Sequence, residues 1–137
     1  MKLWGGRFAG KRDPLFEKFS ESFSLDQRLI LYDLRVNIAY VQELGRAGVL
    51  LRREASGIAK GLEAITRYVR SHPRWAEKET AEDVHSWVEG RLEKEIGVLA
   101  RKLRTGRSRN DLVATETRLY AKDAIRALQK PSASFWS

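Results

Sequence analysis

The stretch Thr105-Gly106-Arg107-Ser108-Arg109-Asn110-Asp111 brings two guanidiniums, two hydroxyls, an amide and a carboxylate into seven residues. Val113, Thr117, Tyr120, Ala124 and Ala127 follow at helical spacing and predict a helix from about Asn110 to Gln129. Ser108, with Asp111 three residues on, fits a capping box. Arg107 and Arg109 then stand beside a helix N-terminus, where free N–H groups and the helix dipole already favour negative charge. A guanidinium matches a carboxylate or phosphate with two parallel hydrogen bonds. The chemistry these residue types suit is the grip of a small anion. The same residues also describe a capped helix with two solvated arginines.

A second group of candidates precedes that turn. Thr80 reads as the cap of a helix, with Asp83 at the capping-box position. His85 and Glu89 lie one turn apart on one face and are able to pair. A His-x-x-x-Glu pair without a third ligand does not make a zinc site, which takes three or four protein ligands. No metal is expected. Ser22 lies in a polar break, Ser20-Glu21-Ser22-Phe23-Ser24, where a loop or cap residue would also sit. His72, before Pro73, reads as an exposed loop residue.

Helices must position these groups. Asp26 to about Ala47 carries the apolar stripe Leu34, Ile38, Val41 and Leu44, with Gly48 as a stop. Arg52 to Val69 carries Ala55, Ile58, Leu62 and Ile65, with Tyr68 and Val69 at its end. Val84, Val88, Leu92 and Ile96 make the third stripe, which Gly97 ends. Segment 98–104 leads into the arginine turn. Ahead of these, Asp13-Pro14 opens a short helix through Phe19. Residues 1–13, with Trp4 and Phe8, read as an extended arm that needs a larger body to dock on.

The chain has 137 residues, enough for one domain with a sizeable core. It holds 26 Lys+Arg against 18 Asp+Glu, a formal charge of +8, which raises the question of an acidic partner. The charges of both signs interleave along helical stretches, as on solvated faces. The one dense basic patch is Arg101, Lys102, Arg104, Arg107 and Arg109. No apolar run nears the ~18 residues of a membrane span, and Met1-Lys2 leads into Trp4-Gly5-Gly6 without a secretory h-region. The chain has no cysteine, which rules out disulfides and suits a cytoplasmic address.

The run from Lys102 to Thr115 resembles the most distinctive early motif of the argininosuccinate lyases, members of the fumarase/aspartase superfamily. Leu3-Trp4-Gly5-Gly6-Arg7-Phe8 is similar to that family's opening, and Glu82-Asp83-Val84-His85-Ser86-Trp87-Val88-Glu89 to its second early motif. The resemblance covers about residues 2–129. Within it Arg104 stands where the family usually has His, Leu112 where it has Gln, and Glu116 where it has Asp. The first departure adds charge near the turn and the second removes an amide.

The resemblance implies an all-α fold: long helices of the fumarase/aspartase-type bundle, truncated, with an extended N-terminal arm. Residues 1–130 would form the N-terminal helical domain. Pro131-Ser132-Ala133-Ser134-Phe135-Trp136-Ser137 departs from the family and is expected to be an unrelated or disordered tail on a truncated chain. The implied reaction cleaves argininosuccinate to arginine and fumarate with no metal or organic cofactor, in a homotetramer whose active sites each draw on three subunits. Ser22, Ser108, Arg109 and Asn110 match substrate-binding positions, and Asp83 and His85 match positions close to the active site. The family's Gly-Ser-Ser-x-Met-Pro-x-Lys-x-Asn loop and Thr-His-Leu-Gln stretch, which carry its catalytic serine and histidine, do not occur here. The implied fragment holds substrate and does not turn over alone. Apolar stripes without their full-length partners are expected to drive self-association. Nucleic acid and membrane are not expected partners. The competing readings are a crystallin-like structural relative and a basic helical module that binds nucleic acid through residues 101–109, which would show steep salt dependence.

Overall fold

The computed structural model describes residues 15, 19, 21–77 and 79–133, the last four by backbone alone. The arm over residues 1–13 and most of the short helix expected over 13–19 lie outside the described residues. Leu15 and Phe19 are helical. Helix α1 (Phe23–Asp26) passes through a 3₁₀ turn, Gln27–Leu29, into α2 (Ile30–Arg46). Helix α3 (Arg52–Ser71) follows, then α4 (Val84–Ile96), a 3₁₀ run over Gly97–Arg104, and α5 (Arg109–Ala133). The fold is all-α, and the described residues contain no strand.

Helices α2 and α3 form a hairpin whose bend is set by Gly48. At φ 74° this residue takes the left-handed conformation that a side chain disfavours. The Val49 N–H donates to the Leu44 carbonyl at 3.0 Å and the Gly48 N–H to the Gly45 carbonyl at 3.4 Å, a Schellman closure of α2. The core lies where the predicted stripes meet. Leu34 and Val41 of α2, Ile58 and Leu62 of α3, and Val84 and Leu92 of α4 are fully buried. The segment between α3 and α4 is pinned by aromatics. Trp75 meets Phe23 edge-on at 5.8 Å and Trp87 at 4.4 Å between ring centroids. That contact ties α1, the connecting segment and the first turn of α4 together.

Two predicted features differ. Helix α4 begins at Val84, and its cap is Asp83 rather than Thr80. The Glu82 carbonyl accepts the Ser22 N–H at 2.9 Å, which holds the lead-in extended instead of letting it coil. The last helix presents a different face from the one its apolar residues predicted. Leu112 and Glu116 are buried against α2, whereas Val113 is 38% exposed and Thr117 faces outward. Periodicity counts a glutamate as a surface residue, so a stripe containing a buried one is read a residue out of phase. Helix α5 continues to Ala133, past the expected end at Gln129, and Ile125 and Leu128 on its outer half are exposed.

The α2–α3 crossing is tight at Gly45. A β-carbon there would sit 2.7 Å from the Ala55 Cβ, an atom with no rotamer to give. Gly45→Ala is therefore expected to destabilise the chain by about 1–3 kcal/mol through overpacking, although alanine favours helix over glycine by about 1 kcal/mol. Urea unfolding curves measure the sign directly.

Candidate functional site

The N-termini of α4 and α5 meet at Asp83 and Arg109. Asp83 has extended backbone, φ −152° and ψ 171°, and its carboxylate accepts the Ser86 N–H at 2.6 Å. Its other oxygen accepts Arg109 Nη1 at 2.5 Å. The second guanidinium nitrogen of Arg109, Nη2, is buried. It lies 3.5 Å from Glu89 Oε1 but has no hydrogen-bond acceptor among the described residues. Ser22 joins from α1: its hydroxyl donates to Asp26 Oδ2 at 2.7 Å, and Asp26 Oδ1 in turn accepts the Val84 N–H at 3.1 Å. Burial pushes the Asp26 carboxyl above its ordinary value, against those two hydrogen bonds.

The arginine turn is shaped by Gly106, at φ 75°, and by Tyr40, whose hydroxyl donates to the Thr105 carbonyl at 2.6 Å. The capping box forms: the Ser108 N–H donates to Asp111 Oδ2 at 2.8 Å, and Ser108 Oγ accepts the Asn110 N–H at 3.2 Å. Ser108 and Asn110 are exposed, on the open side of the α5 N-terminus. Arg107, read from sequence as a second anion donor, turns inward instead. It donates to Asn37 Oδ1 and stacks over the Tyr40 ring, 4.4 Å from its centroid. Those two contacts hold the turn to α2.

Beneath this junction lies a feature the sequence did not announce. His85 is 6% exposed rather than a surface residue, and it does not pair with Glu89. Its Nδ1 lies 2.7 Å from Asp33 Oδ2 on α2, and its Nε2 lies 3.3 Å from Glu116 Oε1 on α5. Asn37 donates to the remaining Asp33 oxygen at 2.7 Å. Both Glu116 oxygens are buried without a hydrogen bond. Glu89 takes Arg104 at 3.4 Å as well as Arg109. Asp33 and Asn37 fall among the apolar positions of α2, and that polar interruption of a core stripe was the one available signal.

A family model described as Lyase matches residues 6–135. The chain belongs to this lyase family, of the fumarase/aspartase superfamily. In this lyase chain the residues singled out from sequence divide into two groups. Ser22, Asp83, His85 and Arg109 are joined through the N-terminus of α4, whereas Ser108 and Asn110 stand outside it at the N-terminus of α5. Among the described residues Asp33, His85 and Glu116 are also the one group whose ligand-type atoms lie close enough to share an ion. Their carboxylates face different ring nitrogens, however, so an ion on the Nε2 lone pair would be turned away from Asp33. The lyase chain has here the geometry of a shared proton rather than an ion cage.

Titration follows from that geometry. Burial lowers the His85 pKa, but the Asp33 hydrogen bond and charge, with Glu116 behind them, outweigh it and the net shift is upward. Burial pushes Glu116 up to about 7 from 4.5, only partly opposed by His85. Between those two values the folded lyase chain keeps a proton that the unfolded chain has lost, so Glu116 makes stability fall as pH rises through this window. The charged form of His85 adds stability below the ordinary histidine value, and this too is lost as pH rises through the folded value. Glu116→Gln removes the glutamate's contribution. It is expected to be more stable than the parent at about pH 8, by at most on the order of 3 kcal/mol, and no more stable at about pH 4. Denaturant curves at the two pH values check this.

Proposed function

We propose that this chain carries part of the substrate site of an argininosuccinate lyase, the enzyme that splits argininosuccinate into arginine and fumarate. The observation that carries the reading is the Asp83–Arg109 contact, which joins two of the three motifs of the resemblance. A polycarboxylate needs several donors held in fixed positions. The Ser108 hydroxyl and the Asn110 side-chain amide, both exposed at the α5 N-terminus, are donors of that kind, and Arg109, set by Asp83, brings its positive charge beside them.

In the proposed reaction a base removes a proton from the carbon beside a carboxylate, and negative charge builds on that carboxylate. The bond from the neighbouring carbon to the guanidino nitrogen then breaks, the double bond of fumarate forms, and an acid returns a proton to the departing nitrogen. Cationic and N–H donors aimed at the carboxylate stabilise the intermediate state, and that is the part assigned to Ser22, Ser108, Arg109 and Asn110. Asp83 and His85 orient it. The acid and base belong to motifs this sequence lacks. A homotetramer and a cytoplasmic address are parts of the same proposal. Among the described residues no helix is long and apolar enough to cross a membrane.

The nucleic-acid reading loses support from the pairing of its patch. Arg101 lies 3.0 Å from Glu93, Lys102 2.7 Å from Glu54 and Arg104 3.4 Å from Glu89. These cations already face carboxylates of their own chain. Calorimetry of the pure chain is expected to show argininosuccinate binding. Arg109→Lys, which keeps the charge but loses the fork, should weaken that binding by roughly tenfold, the equivalent of one charge-assisted hydrogen bond. A coupled assay should detect no fumarate release. Absence of binding at millimolar substrate would sink the proposal and leave a crystallin-like structural relative, and steady turnover would refute the assignment of acid and base to absent motifs.

A further inference from the structure

His85 faces a carboxyl group from a different helix at each ring nitrogen, hydrogen-bonded at Nδ1 and in ion-pair range at Nε2. Nδ1 faces Asp33 of α2 and Nε2 faces Glu116 of α5, while the imidazole itself belongs to the first turn of α4. That turn begins at Asp83, two residues earlier, and Asp83 is the residue that binds Arg109. We infer that Asp33 and Glu116 are positioning residues, which clamp His85 by both nitrogens and so fix the first turn of α4 and the Asp83–Arg109 pair it carries. This inference rests on the proposed substrate site for its functional consequence, though not for its geometry.

An imidazole that faces a carboxyl group at each nitrogen satisfies both either when it is doubly protonated between two carboxylates, or when a neutral ring donates to Asp33 from Nδ1 and accepts at Nε2 the proton that buried Glu116 retains. Asp33 is the firm side of the clamp, because Asn37 donates to its other oxygen and fixes the carboxylate plane. Glu116 is the loose side. It is fully buried with both oxygens free of hydrogen bonds, so its best available partner is the His85 N–H. A buried carboxylate in that position is costly unless paired, and this ties the setting of α5 to the charge on one ring.

Other charges surround the ring. On α1 it faces Asp26, at the α4 N-terminus Asp83, and the first turn of α5 brings Arg109 alongside Asp83. Arg107 is held one residue removed, through Asn37. The acidic groups favour the charged ring, in agreement with the upward shift of His85. The same contacts explain why a helix that buries few apolar side chains lies where it does. Among its described side chains Leu112 and Glu116 are the buried ones, and only Leu112 is apolar.

The chain contains two histidines, His85 and His72. His72 is exposed and stacks on Tyr68, so its imidazole resonances serve as the internal control. The experiment is an imidazole nitrogen NMR titration of the full chain and of Glu116→Gln, Asp33→Asn and Glu116→Asp, with the Ser86 amide followed as the reporter of the Asp83 cap. In the parent, His85 should stay doubly protonated above the ordinary histidine range. Glu116→Gln should lower its titration midpoint and shift the Ser86 amide resonance. Glu116→Asp, which keeps a carboxylate, should restore the midpoint at least in part. Argininosuccinate affinity should fall roughly tenfold in Glu116→Gln, the scale on which loss of an orienting partner weakens a site.

If Asp33→Asn fails to fold, the isosteric Glu116→Gln carries the same test. An unchanged His85 midpoint in Glu116→Gln overturns the clamp. A moved midpoint with an unmoved Ser86 amide overturns its transmission to Asp83. If the parent binds no argininosuccinate yet both resonances respond as stated, the substrate reading fails and the positioning role stands.

Discussion

The structure depends on one imidazole held between two buried carboxylates. An ionised carboxylate removed from water without a partner costs several kcal/mol, and this interior contains Asp33 and Glu116, both fully inaccessible. His85 pairs with Asp33, and Glu116 beside the same ring keeps its proton up to about pH 7. Because the three side chains come from α2, α4 and α5, the requirement acts between elements. Helix α5 is seated as much by where Glu116 must find a proton as by the apolar area it buries. Such a contact gives less net stability than an apolar core of equal volume, but it allows few alternative settings of the helices around it.

The junction above the bridge shows how a basic chain spends its charge. Arg107 is consumed by Asn37 and Tyr40, and Arg101, Lys102 and Arg104 are turned to glutamates. A formal charge of +8 thus coexists with local pairing over the densest cationic stretch. Arg109 differs in being oriented by a carboxylate, Asp83, with Glu89 3.5 Å from its other terminal nitrogen.

The aromatic contact among Phe23, Trp75 and Trp87 does the corresponding work on the apolar side. It brings the α1 turn, with Ser22, against the lead-in of α4. The connecting segment between α3 and α4 is otherwise irregular and would leave Asp83 poorly placed. The polar break around Ser22 is therefore a docked turn, closed by a buried phenylalanine that its serine neighbours disguise.

Much of this protein was legible in its sequence. The apolar stripes of α2, α3 and α4, the stop at Gly48 and the capping box at Ser108 and Asp111 depend on residues within a few turns of one another, so spacing and side-chain type suffice to read them. The three motifs that carry the resemblance to the argininosuccinate lyases are equally local. The setting of α5, the inward turn of Arg107 and the partners of His85 were decided by tertiary structure alone. Asp33 and His85 lie 52 positions apart, and a pattern that scores each residue by its average preference for water assigns an aspartate, a histidine and a glutamate to the surface. Only when the folded chain brings the three together does one imidazole pair with Asp33 while buried Glu116 beside it holds its proton, and that balance of charge is what makes their burial possible.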